Sequence, residues 1–319
     1  VRLLFWGTPE FATPSLLALL GEGFDVAGVV TRPDKPQGRS RSRLIPSPVK
    51  QIATAEKIRV LQPARANSPE FLAEIRTLRP DASVVVAYGH ILTPDVISVP
   101  RRGTFNVHAS LLPALRGAAP IQAAIRHGLA ETGISVMRVV PALDAGPVIL
   151  RIATPIAADE TYGELSLRLS ELGAQALIEA LALIDIGAAR ETPQDDAVAT
   201  YAPKPGPGAV TVDWAQPATE ISRMIRSVDP RPGAVTTAAA GPVKLFGAQL
   251  LPDSGFAEGR REAPPPHGAV LAIDDAGMAV ACGSGAVRIA QVQPAGRPLM
   301  TAADWARGRG ISPGQRLGA

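Results

Sequence analysis

Only one cysteine, Cys282, occurs in the 319 residues of this chain. That excludes an intramolecular disulfide and leads us to expect a reducing, cytoplasmic setting. The four histidines stand well apart, and with no second cysteine no metal-ligand spacing appears. Aromatic residues make up 4% of the chain, which argues against base stacking as the main mode of recognising a nucleic acid. No apolar run is long enough to span a bilayer. The apolar start up to Trp6 is interrupted by Pro9 and Glu10 too early for a leader peptide, so it is expected to form the first strand. The turn after it holds one glycine, Gly7, and lacks the G-x-G-x-x-G of dinucleotide binding. No internal repeat is visible.

What is present is an apolar fraction of 46% with 19% charged residues, as in a soluble globular protein with room for two domains. A net charge of +3 and a pI near 9.3 permit nucleic-acid binding without demanding it. The spacing of apolar residues predicts strands over 3–6, 24–30, 59–61, 82–87, 133–140 and 148–156, the last at a sheet edge. Helices are predicted over 48–57, 68–78, 118–127 and 162–186, besides one carrying Leu16, Leu17, Leu19 and Leu20. Ser68 is the expected cap of its helix. Alternating strands and helices imply an α/β, Rossmann-like domain over 1–190 with a mostly parallel sheet and right-handed crossovers. Residues 191–208 are rich in Pro, Gly and polar side chains and read as a linker. Short strands between Gly/Pro turns over 209–319 predict a small OB-like β-barrel, with a variable Pro-rich loop over 255–267.

Two stretches carry candidate chemistry. Residues 106–122 read Asn-Val-His-Ala-Ser-Leu-Leu-Pro-Ala-Leu-Arg-Gly-Ala-Ala-Pro-Ile-Gln and follow a short β-prone run. A period of two places Asn106, His108 and Ser110 on one side of the extended chain, and Pro113 with Arg116-Gly117 breaks the backbone after them. In an open α/β sheet, ligands bind at the carboxyl edge of the strands. A Ser110–His108–Asp144 hydrolase triad is disfavoured, because no G-x-S-x-G elbow surrounds Ser110. Asp144 by itself reads first as a residue stabilising its own turn, the commoner role of a lone Asp before a glycine. The second stretch, 31–50, is expected to be a long exposed loop rather than a secondary-structure element. Six cations (Arg32, Lys35, Arg39, Arg41, Arg43 and Lys50) against Asp34 give it a charge of +5, and a basic loop at this sheet edge can follow a phosphate backbone.

The run Asn-x-His-x-Ser-Leu-Leu-Pro with Arg-Gly-Ala-Ala-Pro-Ile-Gln resembles the signature of the folate-dependent formyltransferases. Gly-Thr-Pro-Glu-Phe at 7–11, Pro-Ser-Pro-Val-Lys at 46–50, Leu-Asp-Ala-Gly at 143–146 and Tyr-Ala-Pro-Lys at 201–204 extend the likeness over nearly the whole chain. Within that family it is most similar to the branch whose acceptor is an aminoacylated initiator tRNA. The pattern departs at Ala109, where Gly is common, at Ala114-Leu115 in place of a basic-aromatic pair, at His90, and at Pro205-Gly-Pro-Gly after Lys204.

The resemblance implies transfer of the formyl group of 10-formyltetrahydrofolate, a co-substrate, to the α-amino group of the charged tRNA, with no metal and no membrane. It implies catalytic roles for Asn106, His108 and Asp144. The folate is expected across three turns at carboxyl ends of strands: Tyr88, Gly89, Ile91 and Leu92; Ser110, Leu111, Leu112 and Pro113; Val140 and Ala142. Arg39, Arg41, Arg43, Lys50 and Lys204 are expected to touch the tRNA, and a monomer is expected. Two rivals remain. One is a sugar-nucleotide or purine-precursor formyltransferase with the same first domain. The other is an RNA-binding protein that keeps an inactive formyltransferase fold.

Overall fold

The computed structural model describes residues 1–37, 43–252 and 265–318. The chain divides into two compact units. One comprises Val1–Pro120, Glu131–Pro155 and Ser166–Pro203, and the other Ile121–Ala130, Ile156–Leu165 and Lys204–Ala319.

The first unit is built on a seven-stranded sheet. Its strands are β1 (Arg2–Gly7), β2 (Asp25–Val30), β5 (Val60–Leu61), β6 (Ala82–Val86), β7 (Thr104–His108), β8 (Glu131–Arg138) and β9 (Val148–Pro155). They lie side by side in the order β5-β2-β1-β6-β7-β8-β9. Its helices are α1 (Thr13–Gly21), α2 (Pro48–Ala55), α3 (Pro69–Thr77) and α4 (Pro94–Ile97), with α6 (Tyr162–Asp185) from Ser166 onward; α5 (Pro120–Arg126) falls in the second unit from Ile121 onward. In the interior of the sheet, the β1 residues Leu3, Leu4, Phe5 and Trp6 are all fully buried. Apolar side chains on both faces are what a strand covered by helices on each side requires. Each such side chain contributes about 1.5–3 kcal/mol by its burial. α3 begins where the sequence predicts: Phe71 N donates to Ser68 Oγ at 3.2 Å, a cap worth about 1 kcal/mol. Phe71, Leu72 and Ile75 then pack with Trp6 and Tyr88 into one cluster.

One expectation needs correction. The segment 31–50 is not all loop. β3 (Lys35–Gln37) and β4 (Arg43–Ile45) pair antiparallel, with Lys35 opposite Ile45 and Gln37 opposite Arg43. Pro36 reads as a breaker in the sequence, but a two-stranded ribbon has two open edges and tolerates a missing N–H. Arg39 and Arg41 lie outside the described residues. The mostly parallel sheet is as expected, with one strand running the other way. β1, β2, β5, β6 and β7 run parallel, but β8 runs antiparallel to β7, with Phe105 opposite Arg138 and His108 opposite Ser135. The carboxyl end of β8 therefore lies at the opposite edge from that of β7. A strand–helix–strand pattern in the sequence is compatible with either direction, because either ladder satisfies the backbone.

α6 covers one face of this sheet. Its Gly173 approaches β7 so closely that a Cβ there would come within 3.0 Å of Val107 Cγ1. Val107 and Phe105 thus point into the α6 side, and the alternate residues Asn106 and His108 point to the other.

In the second unit, strands run β10 (Ala234–Ala238), β11 (Gly241–Leu250), β14 (Ala286–Pro294), β13 (Gly277–Ala281) and β12 (Val270–Asp274) across one antiparallel sheet, with β15 (Met300–Thr301) added on β14. This is the small antiparallel β-domain expected of the C-terminal part. α7 (Ala218–Ser227) buries Ile221, Met224 and Ile225, with Val228 just beyond its end, on one helical stripe. α8 (Ala302–Arg307) contributes Trp305, and Trp214, Leu245, Val280 and Ile289 complete the core. Cys282 is buried there, and its burial pushes the thiol up to about 12, which leaves it inert at neutral pH. Most of the Pro-rich stretch 255–267 lies outside the described residues.

Candidate active site

β7 sits between β6 and β8, where Asn106 faces Val85 on one side and Met137 on the other. Asn106 is half-buried, and its side-chain amide makes no hydrogen bond among the described residues. His108, two residues on, is 5% exposed. Its Nε2 lies 3.0 Å from the Leu115 carbonyl oxygen. A carbonyl only accepts, so Nε2 carries a proton. Nδ1 is left facing Asp144 Oδ2 at 3.7 Å, just beyond direct hydrogen-bond reach. A proton placed on Nδ1 during a reaction would face a carboxylate able to balance its charge.

The loop after β7 turns back to meet Asp144, whose own turn starts from the far edge of the sheet. Gly117 N donates to Asp144 Oδ2 at 2.8 Å. Gly117 has φ +116°, and a Cβ there would lie 2.9 Å from the Ala202 carbonyl oxygen, so only glycine fits. Two other residues of the site hold left-handed backbones without being glycine: Leu115 at φ 59° and Asp144 at φ 48°. Each costs about 1–2 kcal/mol.

Several polar groups hold these turns. Ser135, fully buried on β8, donates to the Ser110 carbonyl at 2.7 Å and accepts from Leu112 N at 3.0 Å. Arg151 Nε donates to the Leu112 carbonyl at 2.8 Å. The Ser110 hydroxyl donates to the Ala114 carbonyl at 2.5 Å. Leu115 N donates to Thr200 Oγ1 at 2.9 Å and Arg116 N to the Thr200 carbonyl at 2.8 Å. The buried Arg116 guanidinium reaches Gln194 Oε1 through Nε at 3.0 Å and Nη2 at 2.8 Å, and Asp196 Oδ1 at 2.7 Å. Burial alone would lower the Arg116 pKa, but Asp196 and Tyr201 outweigh it and hold it above its usual value. Gln194 Nε2 donates to the carbonyls of Asp144 at 2.8 Å and Gly146 at 2.7 Å. Sequence reasoning missed Ser135, Arg151, Gln194 and Thr200, because each acts through a distant backbone group that leaves no local pattern.

Among the expected folate residues, Tyr88 is buried, edge-on to Trp6 with ring centres 5.2 Å apart. Burial raises its phenol pKa, and the Arg32 charge acts against that shift. Leu92 packs in the core cluster with Val96, whereas Ile91 is 77% exposed. Gly89, directly after Tyr88, takes φ +88°. Leu112 packs with Met137 and Val148; Leu111, Pro113 and Val140 are half-buried and Ala142 is exposed. Because β6 and β7 are parallel, the turns at Tyr88 and Ser110 leave from one edge. The turn at Val140 and Ala142 follows the carboxyl end of β8 and so leaves from the other edge.

Of the expected RNA contacts, Lys204 is exposed, and Arg43 pairs through its backbone with Gln37. Lys50 is engaged elsewhere: its Nζ lies 2.6 Å from Asp34 Oδ2 and 2.8 Å from Gln62 Oε1. That contact holds the Asp34 carboxyl below its usual range, and a phosphate would have to compete for the ammonium. A depression of about 500 Å³ beside β5 and α3, lined by Leu61, Gln62 and Phe71 among others, includes none of the residues expected to bind folate. Among the described residues no three His, Cys, Asp or Glu side chains are grouped to hold a metal. No helix among them is long and apolar enough to cross a membrane.

Comparison with known proteins matches residues 1–181 to the formyl transferase family and residues 207–310 to the formyl transferase C-terminal domain. The methionyl-tRNA formyltransferase of Moorella thermoacetica is 43% identical over 318 residues, covering 100% of this chain and 99% of that protein. The enzyme of the same name from Ectopseudomonas mendocina is 45% identical over 300 residues, 94% of this chain and 92% of its own. Among solved structures, the sugar 3N-formyl transferase WlaRD superposes with a TM-score of 0.66 at 16% identity, covering 93% of this chain and 99% of that one. HypX from Aquifex aeolicus in complex with tetrahydrofolic acid gives 0.64 at 19% identity, over 95% of this chain and 46% of that one. At such identities these two structures speak for the fold alone. By its family matches and its full-length relatives, the chain belongs to the formyltransferase family, among the methionyl-tRNA formyltransferases.

Proposed function

We propose that the chain transfers the formyl group of 10-formyltetrahydrofolate to the α-amino group of methionyl-initiator tRNA, working in the cytoplasm at translation initiation. The observation that carries this reading is the full-length similarity to enzymes of that name, joined to a buried His108–Asp144 pair beside a free Asn106 amide. The neutral amine attacks the formyl carbon, and a tetrahedral centre forms with an oxyanion and a protonated amine. The bond to the folate nitrogen then breaks as that nitrogen gains a proton, so no net proton is consumed. Asn106 and a His108 protonated at Nδ1 supply hydrogen bonds to the oxyanion. Asp144 balances the imidazolium and takes the proton of the attacking amine, directly or through one water.

In this reading, residues 1–190 are the catalytic domain, 191–208 the linker and 209–319 a tRNA-binding domain. The folate rests against Tyr88, Gly89, Ile91 and the Ser110–Pro113 turn, with Val140 and Ala142 reaching it from the opposite edge. Leu92 and Leu112 support those walls from the core. Arg39, Arg41, Arg43 and Lys204 contact the tRNA backbone, while Lys50 anchors the base of its loop through Asp34.

The deciding assay follows labelled formyl from the folate donor to charged initiator tRNA, charged elongator tRNA and sugar amines. Formylation of the initiator species alone is expected. Transfer to sugar amines with none to tRNA would return the small-acceptor reading.

A further inference from the structure

We propose that Gln194 and Thr200 are positioning residues that set the geometry of the His108–Asp144 pair, so that the segment after α6 acts as a strap on the reaction rather than as a passive connection. The inference rests on the reading that this pair carries the formyl transfer.

The strap touches the pair from both ends. Gln194 Nε2 donates to the carbonyls of Asp144 and Gly146 at 2.8 and 2.7 Å, bracketing the turn that presents the carboxylate. Its orientation is dictated, because Oε1 already accepts two N–H groups of Arg116 and the amide nitrogen must face the carbonyls. Six residues on, Thr200 Oγ1 accepts from Leu115 N, and the carbonyl of Leu115 is the group that receives His108 Nε2. Gln194 therefore controls what stands opposite Nδ1, and Thr200 controls what stands opposite Nε2. Both residues being presented, Asp144 and Leu115, have left-handed backbones. Neither conformation is favoured by its own side chain as a glycine's would be, so each needs an outside partner.

The strap itself adds little apolar core. Across residues 191–200 only Gln194 and Ala199 are half-buried, and the others are exposed. Its hold on the unit is made of polar contacts; one ends on the Asp144 carbonyl and another on the N–H of Leu115, whose carbonyl receives His108 Nε2. A small displacement of Asp144 changes how well it balances an imidazolium formed during transfer, and the dependence of turnover on pH reads that balance. A purely supporting segment would leave that dependence unchanged.

The test uses the full chain with formyl donor and charged initiator tRNA. Gln194→Glu keeps the size and the Arg116 contact but turns an oxygen towards the Asp144 and Gly146 carbonyls. Turnover is expected to fall about tenfold, with KM for both substrates within about twofold. The acidic limb of the kcat–pH profile is expected to move by about half a unit or more. Thr200→Val removes the acceptor at constant size and should do the same, while Thr200→Ser should recover the loss. If Gln194→Glu does not fold, as judged by circular dichroism, the Thr200 pair decides the matter. Wild-type turnover and pH profile in Gln194→Glu and Thr200→Val, beside an inactive Asp144→Asn, would overturn the strap's role and leave the pair's role standing. A loss of turnover with an unmoved pH limb, or one that serine does not recover, would make the strap a support of the fold only and overturn the proposal. Full activity in Asp144→Asn would remove the pair from the chemistry and the proposal with it.

Discussion

His108 Nδ1 faces Asp144 Oδ2 across 3.7 Å, and the same carboxylate oxygen already accepts the Gly117 N–H at 2.8 Å. The carboxylate is thus oriented by a backbone donor before any substrate arrives, and its second interaction is left for a proton on the imidazole. Preorganisation of this kind costs nothing at the moment of reaction.

Asn106→Ala, His108→Ala and Asp144→Ala should each lower kcat by about two orders of magnitude or more, measured as formyl transfer under saturating substrates. They should differ in stability. The Asn106 amide has no partner to orphan, so its loss should leave the unfolding midpoint unchanged. His108→Ala strands the buried Leu115 carbonyl and should cost about 1–3 kcal/mol. Near wild-type turnover in any one variant takes that residue out of the mechanism.

Gly117→Ala forces a Cβ to 2.9 Å from the Ala202 carbonyl at φ +116°. Backbone must move to relieve it, and the N–H that orients Asp144 moves as well. We expect about 1–3 kcal/mol lost in chemical denaturation, together with a loss of turnover larger than the change in either KM. An alanine variant with unchanged turnover would mean that the Gly117–Asp144 bond does not matter to catalysis.

Neutralising Arg39, Arg41 and Arg43 together should weaken tRNA binding and flatten its salt dependence, the slope of log K against log salt dropping by roughly 0.7 to 0.9 for each arginine–phosphate pair removed. Folate binding should be untouched. Arg39, directly after Gly38 in the sequence, is the first to change singly. Normal tRNA affinity in the triple variant at every salt concentration would leave Lys204 and the second unit as the RNA platform.

The pH dependence of stability can be probed at Glu191, which grips Arg138 through Nε at 3.0 and 2.8 Å. Hydrogen bonds from Arg138 hold the Glu191 carboxyl below its usual range. A lowered carboxylate pKa stabilises the fold above the unfolded value of about 4.3 and loses that contribution as pH falls through the folded value. The pair is partly solvated, so Glu191→Gln should cost no more than about 0.5–1 kcal/mol at pH 7. The gap from wild type should close as the pH falls through the lowered folded value. A constant difference across that range would assign the effect to packing instead of charge.

Much of this molecule was legible in the residues alone. The apolar runs 3–6 of β1 and 84–86 of β6 announced buried strands, Ser68 announced the start of α3, and a period of two put Asn106 and His108 on one side of β7. These are local properties: burial face, capping and turn chemistry depend on neighbours one to four residues away. The resemblance in the 106–122 stretch then pointed to Asp144, which local reading alone assigns first to its own turn. Tertiary structure alone decided the direction of β8, because a ladder in either direction satisfies the same backbone groups. It alone decided that Lys50 spends its charge on Asp34 and that part of the basic segment is a ribbon. It alone brought Gln194 to Asp144, 50 residues away, and to Arg116, 78 residues away. A hydrogen bond over such a separation leaves no periodicity to read, since it exists only once the fold has brought its two ends together.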